Sequence, residues 1–475
     1  MELGMSDRLV IFGITGDLGY KMTLPALFRL ERRGLLTVPV LGVAFQDWTH
    51  DEMAARAREA ITLNAGESFD EAAFDSLMKK FDYVSGDFTD PGLYQKVAEH
   101  LAGAKAPCFY LEIPPSLFAT VAKGLAGADL LGFPARLVVE KPFGHDLASA
   151  DALAADLHQY VTEPQLFRID HYLGKEPVQD LVYLRFANSL LEPVWNRKYV
   201  RSIMITMAEE FGVEDRGSFY DPVGTLRDVV QNHLLQVLAL TGLEPPSGGS
   251  LSHRRLDFFR GVESVDPAAA VRGQYDGYRD IKGVAKDSTT ETFVALRLKV
   301  NSWRWEGVPV YIRAGKKMPL TATEIVVRLQ PPPTVSVGHH PLGHLGHDDI
   351  VLRIGDESGV GVSLRVKQPG VDRAEPELLN LDFATALGEM PTPYERLLLD
   401  AMKGSDALFP SQDVIDETWR IVEPLIDAPP AVQPYAPGTW GPEEAQHMAR
   451  RVGGWRVPTV ADEPPVLKTN VPGKN

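Results

Sequence analysis

The chain has 475 residues, more than one average domain needs and suited to two or three. Hydrophobic residues make up 44% and charged residues 24%, the balance of an ordinary soluble globular enzyme. A formal net charge of −16 argues against nucleic acid or an anionic membrane as partner, so any anionic ligand must be met by locally concentrated cations.

Cys108 is the single cysteine, so no intrachain disulfide can form and a reducing compartment is expected. Its neighbours Phe109, Tyr110 and Leu111 predict a buried, inert thiol. No stretch is long and apolar enough to span a bilayer, and no basic segment followed by an apolar one opens the chain. A cytoplasmic location is the expectation.

In chain order, residues 8–12 read as a buried strand. Gly13-Ile14-Thr15-Gly16-Asp17-Leu18 then turns into a helix with Leu24, Leu27 and Leu30 on its apolar face. Strand, glycine turn and helix together set backbone N–H groups against a pyrophosphate. Two glycines alone are a weak signal, but a second strand at 38–45 completes a βαβ unit. Further strands are predicted at 81–84, 108–113 and 136–139, with charged, Ala-rich helical stretches such as 51–60 between them. This alternation predicts an α/β fold: a parallel sheet with helices on both faces, a Rossmann-type dinucleotide-binding domain over residues 1–172. Lys141-Pro142 follows the strand at 136–139, on the carboxyl edge where ligands bind in such sheets. Read by itself, Lys141 is a solvated lysine, and the Pro142 peptide bond is left open between cis and trans.

At Arg168-Ile169-Asp170-His171-Tyr172-Leu173-Gly174-Lys175-Glu176 a strand hands over to a helix at 175–187. His171, Tyr172 and Lys175 can all donate, and so could hold a phosphate. Asp170 can only accept, and could orient an imidazole elsewhere. The plainer reading is a polar strand end with a local ion pair.

From residue 173 to 475 the pattern changes to strands at 203–207, 292–300, 310–313, 325–329, 350–354 and 360–366. With few helices between them, they predict a larger α+β domain with a mainly antiparallel sheet. The clearest helix covers 225–240, with Leu226, Val229, Val230, Leu234, Val237 and Leu238 on one side. His233 falls among these apolar positions, where a histidine is ordinarily a packed core residue. Asp228, five residues earlier, stands roughly 140° round an α-helix and should not pair tightly with it. The loop at 331–349 carries His339, His340, His344 and His347 with Asp348 and Asp349, but no closed zinc spacing. A solvated loop without metal is the expectation. No internal repeat is visible.

The string at 168–176 resembles the signature of glucose-6-phosphate dehydrogenases. So do Glu140-Lys141-Pro142-Phe143-Gly144, Arg227-Asp228-Val229-Val230-Gln231-Asn232-His233-Leu234, Tyr394-Glu395-Arg396-Leu397-Leu398-Leu399-Asp400 and Gly438-Thr439-Trp440-Gly441-Pro442. The resemblance runs in order from about residue 8 to 460. It implies oxidation of C1 of glucose 6-phosphate to the lactone by hydride transfer to NAD or NADP, the first step of the pentose phosphate pathway. It makes His233 the base and Asp170 its orienting acid, with His171, Tyr172 and Lys175 on the phosphate. Glu209, Asp228 and Lys316 would bind ring hydroxyls, and Lys141 would stand near both substrate and cofactor. Gly13, Thr15, Gly16, Asp17 and Leu18 would line the pyrophosphate turn, with Gln46, Glu112 and Pro114 also facing the cofactor. A homodimer or homotetramer through the second domain's sheet is implied.

The chain departs from this family where cofactors are told apart. The second strand commonly ends Gly-Val-Ala-Arg, the arginine holding the 2′-phosphate of NADP, whereas here it reads Gly42-Val43-Ala44-Phe45-Gln46-Asp47. Met22 stands at a second usually basic position, beside Lys21. Glu112 replaces the small residue usual before Pro114-Pro115, and is expected to bring a carboxylate toward the adenosine ribose. Losing one arginine–phosphate contact costs roughly 1.5–3 kcal/mol. The expectation is an enzyme that uses NAD at least as well as NADP, unless Lys21, Arg56 or Arg58 replaces the arginine from another direction.

Two other readings remain. A related sugar oxidoreductase also carries Glu-Lys-Pro but would lack the strings at 168–176 and 227–234. A non-catalytic nucleotide sensor on this fold would have lost the base or its acid, and His233 and Asp170 are both present.

Overall fold

Six short apolar runs pair side by side in the first part of the chain. A computed structural model describes residues 4–64, 69–246, 250–333, 336–337, 340–341, 346–355, 357–370, 374–388 and 390–458. The runs are β1 (Arg8–Phe12), β2 (Val40–Ala44), β3 (Phe81–Ser85), β4 (Pro107–Leu111), β5 (Arg136–Glu140) and β6 (Leu166–Ile169). They form one sheet in the order β3-β2-β1-β4-β5-β6, every neighbouring pair parallel. This is the doubly wound order, with its reversal point between β1 and β4. β2, β4, β5 and β6 are buried at every position, as strands covered by helices on both faces must be.

The remaining strands are β7 (Val200–Ala208), β8 (Ala270–Tyr275), β9 (Phe293–Leu298), β10 (Val310–Gly315), β11 (Ala322–Leu329), β12 (Ser336–Val337), β13 (His340–Pro341), β14 (Asp349–Arg353), β15 (Gly359–Lys367), β16 (Ala374–Asp382) and β17 (Val432–Tyr435). β12 and β13 pair only with each other. The other nine form a sheet ordered β16-β15-β14-β11-β7-β10-β9-β8-β17. Only β7/β10 and β8/β17 run parallel, so the sheet is mainly antiparallel, as expected.

β8, β16 and β17 lie outside the predicted strands. β8 hides its pattern because Arg272 and Gln274 are polar yet satisfied: Arg272 pairs with Glu291 at 2.7 Å, and Gln274 donates to the Ser288 and Thr290 carbonyls. β16 and β17 each contain a proline and lie on the two edges, where a missing N–H is tolerated.

The chain packs as two compact units. One gathers residues 1–188, 227–264 and 390–429, and the other residues 189–226, 265–389 and 430–475. A single cut after residue 172 follows the course of the chain, whereas packing returns two later segments to the first unit. They return because they carry partners for it. The Arg136 guanidinium, fully buried, donates to the Ala401 carbonyl at 3.1 Å and to that of Met402, at the end of helix Pro393–Lys403. Arg29 and Arg33 both meet the buried Glu395 carboxylate, and the Trp419 indole donates to the Phe143 carbonyl.

The predicted helix at 225–240 divides in two. Leu226–Leu234 is a π-helix and Leu235–Gly242 an α-helix. A second π segment, Gly19–Thr23, lies in the helix that follows the glycine turn. Such segments are rare and concentrate at functional sites.

Candidate active site

Two parts of the first unit meet at one polar cluster: the residues just beyond β6, and the π segment. Asp170 leaves the end of β6 and is 3% exposed, and the Tyr172 backbone N–H donates to its Oδ1 at 3.0 Å. The same oxygen lies 2.5 Å from Nδ1 of His233, which is 1% exposed. Burial alone would raise the Asp170 pKa, but the charge and hydrogen bond of His233 outweigh it, and the carboxyl is held down at about 2. His233 moves below the ordinary imidazole value, pushed by burial, with Asp170 pulling upward and Lys141 downward. The ring is therefore neutral near pH 7, Nδ1–H donating to an ionised Asp170. Nε2 keeps its lone pair and accepts from the Lys141 ammonium at 2.8 Å.

Lys141 also approaches Asp228, at 3.3 Å to its carbonyl and 3.8 Å to its carboxylate. Asp228 and His233 thus converge on one ammonium. That differs from the 140° separation expected of an α-helix, and the π geometry is the reason. Bonds that reach i+5 widen the turn and bring residues five apart round to nearly the same side. The Lys141–Pro142 peptide bond is cis.

Two other residues of the 168–176 string pack on the His233 ring. Tyr172 lies parallel to His233 at 4.5 Å between centroids, and His171 meets it edge-on at 4.5 Å. Lys175 Nζ stands 3.8 Å above the Tyr172 ring. His171 is held well below the ordinary imidazole value by burial first, then by the neighbouring His233 and Lys141. Ligand atoms of Asp170, His171 and His233 all lie within 4.8 Å, a spacing a metal ion could span. The Lys141 ammonium already occupies the open side of His233 Nε2, and a cation there repels another. Of the histidine-rich loop, His339 and His344 lie outside the described residues.

Glu209 and Lys316 belong to the second unit. They follow the ends of the parallel neighbours β7 and β10 and pair at 2.5 Å. Lys316 is 8% exposed, its ammonium 5.2 Å from the Phe211 ring.

The glycine turn is shaped as a cofactor cradle. Gly13 has φ +87°, and a Cβ there would overlap the Glu112 carbonyl of the adjoining chain. Gly19, not singled out from the sequence, has no room for a Cβ against the Ile14 carbonyl. Its signal was a third glycine three residues after Gly16. The helix starting at Asp17 leaves its first N–H groups without acceptors of its own, a donor set that fits a pyrophosphate. Thr15 donates to Gln46 Oε1 at 2.5 Å, and Pro114 is exposed at the end of the neighbouring strand.

Glu112 corrects an expectation. Its carboxyl does not offer an exposed negative charge toward a ribose: one oxygen accepts from the Thr23 hydroxyl and the other is buried without a partner. Burial pushes it up to about 8. A protonated internal acid does not repel a phosphate. Glu140 is a related case, pushed up to about 7 by burial against hydrogen bonds from Tyr110, at 2.7 Å, and Tyr394. These acids fall at the ends of adjacent strands, a pattern visible in the sequence only once strand order is known.

Two family models cover nearly the whole chain. The glucose-6-phosphate dehydrogenase NAD binding domain matches residues 10–180, and the C-terminal domain matches residues 182–456. Glucose-6-phosphate 1-dehydrogenase 1 of Mycobacterium tuberculosis is 49% identical over 460 residues, covering 96% of this chain and 97% of that protein. A crystal structure of glucose-6-phosphate 1-dehydrogenase from Mycobacterium avium superposes with TM-score 0.88 at 49% identity, covering 97% of this chain and 100% of the other. A glucose-6-phosphate dehydrogenase in complex with its substrate glucose 6-phosphate follows with TM-score 0.86 at 30% identity, with the same coverage. The yeast regulator Gal80p, at 11% identity and TM-score 0.52, shares the fold alone. With 49% identity over 96% of its length and the strings at 168–176 and 227–234 intact, the chain belongs to the glucose-6-phosphate dehydrogenase family.

Proposed function

We propose that the chain oxidises C1 of D-glucose 6-phosphate to the 6-phosphoglucono-lactone, with His233 as base and Asp170 as its orienting acid. The single observation that carries this is the buried Asp170–His233 bond, which leaves a neutral Nε2 as acceptor. Nε2 takes the proton of the C1 hydroxyl, and the Asp170 carboxylate steadies the imidazolium that forms. Lys141 donates to the same nitrogen before substrate arrives and must yield that position. His171, Tyr172 and Lys175 bind the phosphate, concentrating cationic and donor groups on an otherwise acidic chain. Asp228, Glu209 and Lys316 bind ring hydroxyls. The nicotinamide cofactor, when bound, supplies the hydride acceptor; the glycine turn holds its pyrophosphate. With Phe45 where an arginine is usual, NAD serves at least as well as NADP.

The test is His233→Asn. Turnover should fall by at least about 10²-fold with little change in sugar phosphate binding. Near-normal turnover in the folded variant would remove His233 from the chemistry.

The reading extends to a homodimer or homotetramer. Across the β15/β16 pair, Val362 faces Leu379 and Val360 faces Leu381, so Leu364, Val366, Leu379 and Leu381 share one side of the sheet. They are 49%, 48%, 66% and 49% exposed, an apolar patch on an edge that suits a second copy. Light scattering should give a mass at least twice that of one chain, reduced by Leu379→Lys with Leu381→Lys. The compartment proposed is the cytoplasm, in keeping with a lone Cys108 whose thiol burial pushes up to about 12. Among the described residues no helix is long and apolar enough to cross a membrane.

A further inference from the structure

In a sheet of this order, the adenosine ribose of a dinucleotide falls beyond the carboxyl end of the strand next to the glycine turn, here β2. Phe45, Gln46 and Asp47 build that corner, and all three are exposed. Gln46 is fixed twice, by Thr15 on its side chain at 2.5 Å and by the Tyr83 hydroxyl on its carbonyl at 2.6 Å. Asp47 is fixed by the Ser85 hydroxyl, which donates to Oδ1 at 2.8 Å from the end of the neighbouring β3. The Phe45 ring leans edge-on against Phe88 at 5.6 Å and is 60% exposed, a flat apolar wall where an arginine would stand.

The cations that could replace that arginine are each met by an acid of their own. Lys21 pairs with Asp17 at 3.3 Å. Arg56 pairs with Glu59 at 3.1 Å and lies over the Tyr20 ring at 3.8 Å. Arg58 holds Glu71 through both carboxylate oxygens and lies over Phe74. The exposed, hydrogen-bonded carboxylate at this corner is Asp47, while that of Glu112 is internal.

We infer that Asp47 selects the cofactor: its carboxylate accepts a hydrogen bond from the 2′-hydroxyl of the adenosine ribose and repels a phosphate attached there. This rests on the dinucleotide-binding reading above, and makes the chain an enzyme that prefers NAD. The asymmetry follows from charge. A hydroxyl donates to a carboxylate, whereas a doubly negative phosphate offers it only acceptors and repulsion.

The experiment is equilibrium binding of NAD⁺ and NADP⁺ to the full-length protein by isothermal titration calorimetry, with kcat/KM for each as a second readout. The wild type should bind NAD⁺ at least as tightly as NADP⁺. Asp47→Asn keeps an acceptor for Ser85 and removes only the charge. It should tighten NADP⁺ by about tenfold and weaken NAD⁺ by a few-fold. Ser85→Ala should shift the ratio in the same direction by less. A wild type that binds NADP⁺ more tightly than NAD⁺, or an Asp47→Asn ratio equal to wild type, would overturn the assignment. Binding of neither dinucleotide would overturn the dinucleotide-binding reading itself, and the inference with it.

Discussion

Three acids stand at the ends of three adjacent strands of one sheet, Glu112 after β4, Glu140 closing β5 and Asp170 after β6, and their pKa values are shifted in opposite directions. All three carboxyls are buried. Asp170 is held down at about 2 because an imidazole faces it at 2.5 Å, with the Lys141 ammonium adding to the pull. Glu112 and Glu140 are pushed up to about 8 and 7 by burial, which hydrogen bonds from the hydroxyls of Thr23, Tyr110 and Tyr394 offset only in part. Hydroxyls satisfy a carboxyl's lone pairs without neutralising a charge. At this sheet edge, then, depth does not decide ionisation; the partner does. One carboxyl is held ionised beside an imidazole and two are shifted toward their neutral form.

The strongest way to break this contrast is to neutralise each kind in turn. Asp170→Asn should lower kcat by about 10²- to 10⁴-fold, since the amide can hold His233 in the wrong tautomer and cannot steady its positive charge. Glu140→Gln, which mimics the acid's neutral state, should leave kcat within about tenfold of wild type under the same assay. Equal losses would erase the distinction.

A second variant sharpens the division of labour among the cations. Lys141 faces His233 Nε2, whereas Lys175 stands over the Tyr172 ring. Lys175→Ala should raise KM for glucose 6-phosphate roughly 10- to 150-fold and hardly change the poorer oxidation of free glucose. Equal damage to both substrates would assign Lys175 a structural or catalytic part.

The smallest effect is on stability. Glu112 and Glu140 hold a proton more tightly folded than at their ordinary value of 4.5. Their favourable contribution is complete below that pH and is lost as pH rises through about 7 and 8. Glu112→Gln and Glu140→Gln should therefore raise Tm relative to wild type by an amount that grows between mildly acidic and alkaline buffer. A constant offset across that range would show that neither acid changes ionisation on folding.

Much of this was legible in the residues. The parallel sheet announced itself because buried strands alternate with helices, and the 168–176 string marked its polar end. That Asp170 meets an imidazole was open to reasoning from its acceptor-only chemistry, but that the imidazole is His233, 63 residues on, came only from the family resemblance. The π segment was illegible for a different reason. Its apolar spacing satisfies an ordinary helix, and only tertiary contacts reveal the wider turn. Glu112 misled because a sequence shows that a carboxyl is present and not which way it turns. Asp47 passed unweighed for the converse reason, since what fixes its carboxylate is Ser85 at the end of the next strand.

The π segment at Leu226–Leu234 has a consequence for tolerance to insertion and deletion. A π turn holds more chain than an α turn, so removing one residue between Asp228 and His233 would let the backbone rewind into the better-bonded α form. Hydrophobic pattern and helix length would hardly register the loss. In an α-helix residues four apart share a side, so after such a deletion Asp228 and His233 would still face one ammonium; rewinding with every residue kept would set them roughly 140° apart. At this place residue number and winding form one joint specification, which a comparison of residue types alone would pass over.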